Sequence, residues 1–468
     1  MEDNSLKRGV LGFWGIVFLS VVAMAPGSIY LLASTTSLVY VGEAAPLTFV
    51  VGTILMFFNV VAVYIFTTKV VNAGGFYKFV EAATRNTYLS RMTAWVQLLG
   101  QTLPFTIGAT VFAWLVYVSA SVLFGITLPT FIPFLASFLV ILYLFVIAYL
   151  GIKVSVRLAM VVGIAQMAFV FVVGVYIVSH TSFNSIQAFN ISKSAGGLNG
   201  FFIGTITGPV TAYIGYSSVV GFSEEAKLSK STMKKAIVTS LLMTAIFETF
   251  IMYSVTVGTS PSNLASLSST YAPALFLTKE YMGLGFAFVV LIVALFGEIS
   301  SPLTFGNSAA RVGFALSRDG VLPGYFSKIH RKYRTPYISV LFVFIFSAAV
   351  SIVTQVILVH YYGVATGFFY SIIFWVVVLT FMNLLYHAVV NEVLPFFMKK
   401  LKNLNIIKHV IVPSAGTLII ILVFYYTFLG ITAPVEYATI AIAAWIIIGG
   451  VIVFRKRRVG VSNIDMQE

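Results

Sequence analysis

Two apolar segments carry proline and glycine at positions where a long hydrophobic helix would otherwise continue. The residues of interest are Ala23, Met24, Ala25, Pro26, Gly27 and Ser28 in the first segment, and Thr211, Tyr213, Ile214, Gly215, Tyr216 and Ser217, after Gly208-Pro209, in the second. Proline removes one backbone N–H and displaces the carbonyl group four residues earlier. Hydrocarbon offers the freed polar groups no partners, so both breaks are expected to be buried in protein or to line a cavity.

The two breaks offer complementary chemistry. A new helix begins after the first break, and the N–H groups of Gly27 and Ser28 suit a carboxylate, because a helix start has unpaired donors and a partial positive charge. The freed carbonyl groups suit an ammonium ion, and they belong to Ala23, Met24, Tyr213, Ile214 and Tyr216. One kink alone would favour a structural role, whereas breaks at matching places in two halves of a chain indicate a central binding site.

Several polar side chains lie within apolar runs. Glu298 is the only ionisable residue between Gly283 and Asn307. A carboxyl group at membrane depth is costly and usually faces a cavity, a partner or an ion path. We expect Glu298 to take a proton or to pair with an amine, and the alternative is a carboxyl group that braces helix packing. Glu248 has the same two interpretations, while Gln97 and Gln101 either line a pathway or pack between helices.

Composition restricts the class of protein. Hydrophobic residues make up 59% of the chain and charged residues 9%, against about 25% charged residues in a soluble domain. The sequence lacks cysteine, and its five histidines are scattered. It contains no zinc-protease motif, no phosphate-binding glycine loop and no nucleophile elbow. We expect an all-α polytopic membrane protein that is not an enzyme and needs no cofactor or metal beyond a coupling ion, H⁺ or Na⁺.

The apolar runs predict about twelve membrane spans, centred near residues 24, 58, 108, 141, 168, 212, 247, 297, 346, 375, 420 and 444. The uncharged run from Gly9 to Gly42 would be roughly 50 Å long as one helix, against a hydrocarbon core of about 30 Å, which favours an interrupted helix. A cytoplasmic N-terminus places every Lys and Arg except Lys193 and Lys279 on the inner side, as the positive-inside rule requires. Both termini are therefore expected in the cytoplasm, with the protein in the cell membrane.

The net charge of +14 fits this topology. We expect the basic run at 455–458 to contact anionic lipid, not nucleic acid. Glu224 and Glu225 lie among lysines, of which Lys227 and Lys234 are examples, and predict an inner-loop charge network. The start of the chain also imitates a signal peptide that ends at Ala25, but the apolar run continues well beyond that residue, which argues against cleavage.

Three stretches resemble the amino acid–polyamine–organocation (APC) permeases. Residues 212–216 together with Gly221-Phe222-Ser223-Glu224-Glu225-Ala226-Lys227 are similar to the signature of that family's sixth helix. Gly74-Gly75-Phe76-Tyr77 resembles the segment after its second span. Residues 310–323 and 330–336 resemble the loop after its eighth span. The similarity covers about residues 10–390.

This resemblance implies a LeuT-type fold within one transporter domain, residues 1–455. Two inverted repeats of five spans would cover about 10–180 and 200–390, with helices 1 and 6 broken. Two further helices would lie at about 410–455, followed by a short cytoplasmic tail at 456–468. In the family, the backbone of the two broken helices binds the amino acid.

The chain departs from the family at several positions. Pro26-Gly27-Ser28 replaces a common Gly-Ser-Gly, Thr211 stands where several relatives have an aromatic gate, and Ser217 stands where many have an acid. Gln166 occupies the position of a lysine in proton-coupled relatives. Sodium-coupled members of the wider fold use oxygens of helices 1 and 8, for which the candidates are Ser300, Ser301 and Thr304.

The sequence thus predicts a secondary active transporter of an amino acid with a neutral side chain, which works by alternating access. The runner-up is a carrier of polyamines or cationic amino acids, with Glu298 as the counter-charge. A sensor with a transporter-like fold would bind its ligand without flux. We expect a monomer or a homodimer among membrane lipid.

Overall fold

A computed structural model describes residue 9 and residues 11–226, 232–270 and 272–456. These residues are helical apart from turns, short loops and two isolated β-bridges, Leu11 with Ala226 and Gly42 with Ser194. The tail at 457–468 and the loop lysines Lys227 and Lys230 lie outside the described residues.

Ten helices in the described residues are long and apolar enough to cross a membrane. Spans 1 and 6 bring the number to twelve, and each falls short of that length criterion because a break divides it. The spans are 13–41, Ala45–Phe66, Thr87–Phe124, Phe131–Tyr149, Ile152–His180, 197–225, Thr232–Val257, 284–318, Tyr337–Tyr362, Val364–Lys400, Ile407–Leu429 and Ala438–Arg455. The expectation of a twelve-span, all-α membrane protein is confirmed.

Local residue chemistry sets several helix boundaries. The Asn86 side chain accepts a hydrogen bond from the Leu89 N–H at 3.0 Å and caps the start of span 3. Gly125 ends that span in the left-handed conformation. Gly283, with φ 82° and ψ 170°, separates an outer helix at 273–282 from span 8.

The two proposed repeats share backbone features. Spans 4 and 5 join at Gly151 (φ 97°, ψ 172°), and spans 9 and 10 join at Gly363 (φ 76°, ψ 172°). Both conformations lie in a region that glycine adopts far more readily than other residues. The match between the two junctions supports the proposed five-plus-five arrangement, and the repeat boundaries stay a prediction.

Span 3 lies at the centre of the bundle and packs against spans 8 and 10. Its Trp95 is also joined to span 12 by a reciprocal pair of hydrogen bonds. The Trp95 indole N–H donates to the Trp445 carbonyl at 2.9 Å, and the Trp445 indole N–H donates to the Trp95 carbonyl at 3.0 Å. The two rings stack with centroids 4.5 Å apart.

A charged cluster closes the end of the bundle that carries the connection between spans 2 and 3. It consists of Lys78, Glu81, Glu224, Glu225, Arg311, Arg318 and Asp319. Lys78 pairs with Glu81 at 2.6 Å and with Asp319 at 2.7 Å. Arg311 binds both oxygens of Glu225, at 2.5 and 2.9 Å, and Arg318 contacts Glu224 at 3.2 Å.

Among the described residues, Glu224 and Glu225 pair with the span 8 arginines Arg318 and Arg311, because the chain after Tyr213 runs alongside span 8. The predicted network with Lys227 and Lys230 falls on residues outside the described part of the chain. Lys234 instead lies over the Tyr64 ring.

The Tyr77 hydroxyl donates to Asp319 at 3.1 Å, and burial together with that carboxylate raises the pKa of Tyr77 well above its ordinary value.

Candidate functional site

Span 1 breaks at Met24 and Ala25. The first helix ends at Ala23, and Ala25 adopts the left-handed conformation with φ 49° and ψ 58°. A new helix starts at Pro26. The N–H of a first helical residue has no partner within the helix, so proline at this position loses no hydrogen bond. This geometry confirms the break that the sequence predicted.

Span 6 changes its helical form three times. Its α-helix Gly197–Thr205 widens into a π-turn at Ile206–Val210, around Pro209. One α-helical turn, Thr211–Tyr213, follows, and the chain continues as a tight 3₁₀ helix from Ile214 to Glu225. Gly215 lies directly against the break of span 1. A Cβ added at Gly215 would lie 2.5 Å from the carbonyl carbon and oxygen of Ala23, so two main chains touch where no side chain fits.

Span 8 is broken as well, which the sequence reasoning missed. Two turn residues, Ile299 and Ser300, separate the helices that end at Glu298 and start at Ser301. The available signal was Pro302, which follows two serines in an apolar run. The Ser301 hydroxyl donates to the Ala23 carbonyl at 3.3 Å, and the Thr304 hydroxyl donates to the Leu19 carbonyl at 3.2 Å.

The three breaks surround a cavity of about 180 Å³. Of the predicted site residues, the cavity is lined by Ala23, Met24, Ala25, Thr211, Ile214, Gly215, Glu298 and Ser301. The rest of its wall is mostly apolar, including Ile29, Leu32, Ile107, Val111, Phe305, Ile372, Ile373, Val376 and Leu379. Such a volume holds one small molecule far more readily than a single water.

Glu298 is the only charged residue among those lining this cavity. Its side chain is buried, and its Oε1 atom has no hydrogen-bond partner in the described residues. Glu298 also forms no ion pair within the described part of the chain. An unpaired carboxyl oxygen in an apolar wall suits a proton or an ammonium group.

Gln166 lies beside the break of span 1, as its position in span 5 suggested. Its Oε1 accepts a hydrogen bond from the Gly27 N–H at 2.9 Å. A Cβ at Gly27 or at Gly297 would meet the Gln166 amide at 2.8 or 2.5 Å. Gln166 therefore links span 5 to spans 1 and 8, and it already occupies one of the two donors assigned to a carboxylate.

The remaining predicted residues do not line the central cavity. The Tyr213 hydroxyl accepts a bond from Thr53 at 3.3 Å, and Tyr216 and Ser217 contact His387 of span 10. Also absent from the cavity lining are Pro26, Gly27, Gln97, Gln101, Gln166, Glu248 and Thr304. The Ser28 side chain lies outside the described part of the structure. Both carboxyl oxygens of Glu248 are buried without a partner among the described residues.

A second cavity, of about 230 Å³, lies next to the first. The two share Thr207, Thr211, Ile373 and Val376, so these four side chains form the wall between them. The Thr211 hydroxyl donates to the Ile206 carbonyl at 2.9 Å. This bond directs the hydroxyl back toward the helix that carries Thr211. The outer cavity is bordered on its other side by Tyr40, Tyr426 and Thr432.

Twelve helical spans, three of which break around a central cavity, define a polytopic membrane transporter. The chain belongs to the amino acid permease family, whose model matches residues 11–453. It is thus an amino acid transporter, and the expected resemblance to the APC permeases is confirmed.

Curated relatives are about a quarter identical to this chain over the aligned residues. A branched-chain amino acid permease, BcaP, of Bacillus subtilis is 27% identical over 358 residues, which cover 73% of each protein. A methylthioribose transporter of the same organism is 26% identical over 206 residues, 43% of this chain and 42% of that protein. Cationic amino acid transporter 4 of Mus musculus is 24% identical over 364 residues, 73% of this chain and 55% of that protein.

Proposed function

We propose that this permease carries a neutral, aliphatic amino acid of the branched-chain class across the cell membrane by alternating access. The observation that carries the proposal is the central cavity, in which one buried carboxyl group faces a wall of Ile, Val, Leu and Phe side chains. The name of the Bacillus subtilis branched-chain permease agrees with this chemistry.

The proposed pose places the two charged ends of the amino acid at the breaks. The ammonium group lies near Glu298, the unpaired acid of the cavity wall. The carboxylate lies at the start of the helix after Ala25, where the partial positive charge favours an anion. Because Gln166 occupies the Gly27 N–H, the donor we assign to the carboxylate is the next one, the Ser28 N–H.

The side chain of the substrate then packs against the apolar wall. Burial of a leucine-sized side chain stabilises the bound state by about 1.5–3 kcal/mol. A lysine or arginine side chain would place a second cation in the same wall, where Glu298 is the only counter-charge among the lining residues. The apolar wall therefore favours neutral substrates over the cationic alternative.

Two of the three hydroxyls proposed for sodium are already paired, and that of Ser300 is buried without a partner among the described residues. The hydroxyls of Ser301 and Thr304 bond to the span 1 carbonyls of Ala23 and Leu19. These four oxygens include no carboxylate, and each carbonyl has a hydroxyl donor. Their mutual hydrogen bonding fits a neutral contact between spans 1 and 8 better than a sodium site, and we expect transport without sodium.

The test is exchange of radiolabelled leucine in proteoliposomes that contain the purified chain. We expect competition by isoleucine and valine, weak competition by arginine or putrescine, and equal rates in sodium and choline buffers. The Glu298→Gln variant should weaken leucine binding at least about tenfold, because an ammonium group loses its charged partner. Strong competition by putrescine and none by valine would reverse the substrate assignment.

A further inference from the structure

His387 is a buried titratable group that the proposed binding site does not use. It lies in span 10 and is 2% exposed. Its Nε2 atom is 2.9 Å from the Ser217 hydroxyl, and its Nδ1 atom is 3.4 Å from the Tyr216 hydroxyl. Both partners belong to the 3₁₀ helix of span 6, only two and three residues beyond Ile214 of the central cavity.

Aromatic rings enclose the imidazole. Phe76, from the helix that follows span 2, lies edge-on with its centroid 4.7 Å away, and Tyr386 stacks at 5.1 Å. His387 therefore connects three elements, namely span 10, the second half of span 6 and the helix Phe76–Thr84 that contributes Lys78 and Glu81 to the charged cluster.

The hydrogen bonds around His387 fit a neutral imidazole. A neutral ring has one donor and one acceptor. The network is satisfied when Nε2–H donates to Ser217, Ser217 donates onward to the Ile214 carbonyl at 3.4 Å, and Tyr216 donates to Nδ1. A second proton, on Nδ1, would turn that nitrogen into a donor, so the Tyr216 hydroxyl would have to accept and its own proton would need another acceptor.

No element packed around His387 supplies a counter-charge in the described contacts. Span 6 presents Tyr216 and Ser217, and the helix after span 2 presents Phe76, while its Lys78 and Glu81 bind each other and Asp319. Spans 3 and 2 contribute buried amides, namely Gln97, Gln101 and Asn59, which bonds to Asn391 of span 10. The acids at the end of the span 6 segment, Glu224 and Glu225, pair with span 8 arginines. On span 10 itself, Tyr386 bonds to Asn383, and Glu392 is exposed on another face.

We propose that His387 binds a proton and thereby makes the opening of the helix bundle, at the end closed by the charged cluster, depend on pH. The closed conformation requires the neutral ring, because Tyr216 needs its acceptor and an imidazolium would be buried without a counter-charge. Movement of the 214–225 segment away from span 10 admits water, which solvates the imidazolium. Protons thus bind the open conformation preferentially, so a fall in pH shifts the population toward it. This inference rests on the alternating access proposed above.

The natural absence of cysteine permits a direct measurement of opening. Ser308 is fully buried in span 8, and its hydroxyl lies 2.5 Å from the position that a Cβ on Gly221 would take. A Ser308→Cys variant thus places a thiol between span 8 and the moving segment. Its labelling by a maleimide in the purified full-length protein, relative to the exposed reporter Ser192→Cys at the same pH, reports the open population.

We expect the relative labelling of Ser308→Cys to rise as pH falls from about 8 to 5.5, by up to about tenfold per pH unit. Adding His387→Asn should make it independent of pH, whereas His409→Asn, at the start of span 11, should leave the response intact. Tyr216→Phe keeps the histidine but removes the competing donor, so it should reduce the response. This variant serves as an independent test if the His387 variant does not fold.

A labelling profile that is flat in the parent, or unchanged by His387→Asn, would overturn the inference. Neither result depends on the substrate. Loss of the proposed function would appear separately, as failure of leucine to exchange or to alter labelling at any pH. Leucine exchange with pH-independent labelling would leave the proposed function intact and reject the role of His387.

Discussion

The contact between Gly215 and the break of span 1 predicts that even a single added methyl group at Gly215 will be costly. In Gly215→Ala, the new Cβ would lie 2.5 Å from the carbonyl carbon and oxygen of Ala23 and 2.7 Å from the Met24 nitrogen. Ordinary contacts begin near 3.4 Å, so the two main chains must separate by about 0.9 Å, the difference between these distances. Backbone atoms cannot rotate away as a side chain can. Overpacking of this kind costs about 1–3 kcal/mol.

We expect this cost to appear in both stability and binding. The substrate in the proposed pose lies at the break of span 1, and Gly215 lines the same cavity. If the substitution separates spans 1 and 6, returning them to the binding geometry must meet the same cost. A cost of 1–3 kcal/mol corresponds to roughly a 5- to 150-fold rise in the leucine dissociation constant. Leucine binding and thermal unfolding of purified protein in detergent would measure the two effects.

Gly285→Ala provides the matched control. Gly285 lies in span 8, and a Cβ there would meet nothing within 4 Å. This variant should bind leucine as the parent does and unfold at the same or a slightly higher temperature, since alanine favours helix over glycine by about 1 kcal/mol. If Gly215→Ala matched both the parent and this control in binding and stability, the proposed close approach of the breaks would be refuted.

Three further predictions concern groups around the site. Arg311→Gln leaves Glu225 buried without its partner and should lower stability by about 3–5 kcal/mol, and Glu225→Gln in the same chain should recover part of the loss in thermal unfolding. Gln166→Leu leaves the Gly27 N–H without its acceptor and should destabilise by about 1–3 kcal/mol, visible as a lower unfolding temperature, while an unchanged value would contradict the link between spans 5 and 1. Because the pKa of Tyr77 is raised in the folded state, the unfolded chain loses that proton first, so stability should decline above about pH 10. The decline should be shallower in Tyr77→Phe, and an equal slope would argue against this role of Tyr77.

The sequence predicted the membrane fold well because its two strongest signals are local. Apolar length specifies each span, and Pro26-Gly27 and Pro209 mark the breaks in spans 1 and 6. The break of span 8 was not predicted, because the helix resumes after only two residues. The apolar run therefore continues across Ile299 and Ser300.

The site was predicted less completely, for a geometric reason. Ala23, Met24, Ile214 and Gly215 were placed at the cavity because a break exposes backbone whichever way the side chains point. Tyr216 and Ser217 turn instead toward span 10, since the direction of a side chain after a break depends on whether the chain continues as a 3₁₀ or an α-helix. His387 lies 170 residues from its Ser217 partner, and one sequence gives no signal for such a pairing.

The reciprocal tryptophan pair has a consequence for how the protein is made. Trp95 and Trp445 each donate to the other's main-chain carbonyl across 350 residues, so neither span completes its hydrogen bonds alone. During synthesis, span 3 enters the membrane long before span 12 exists, so the Trp95 indole finds this partner only after most of the described spans have been made. A chain interrupted before Trp445 would leave the Trp95 indole N–H without this acceptor.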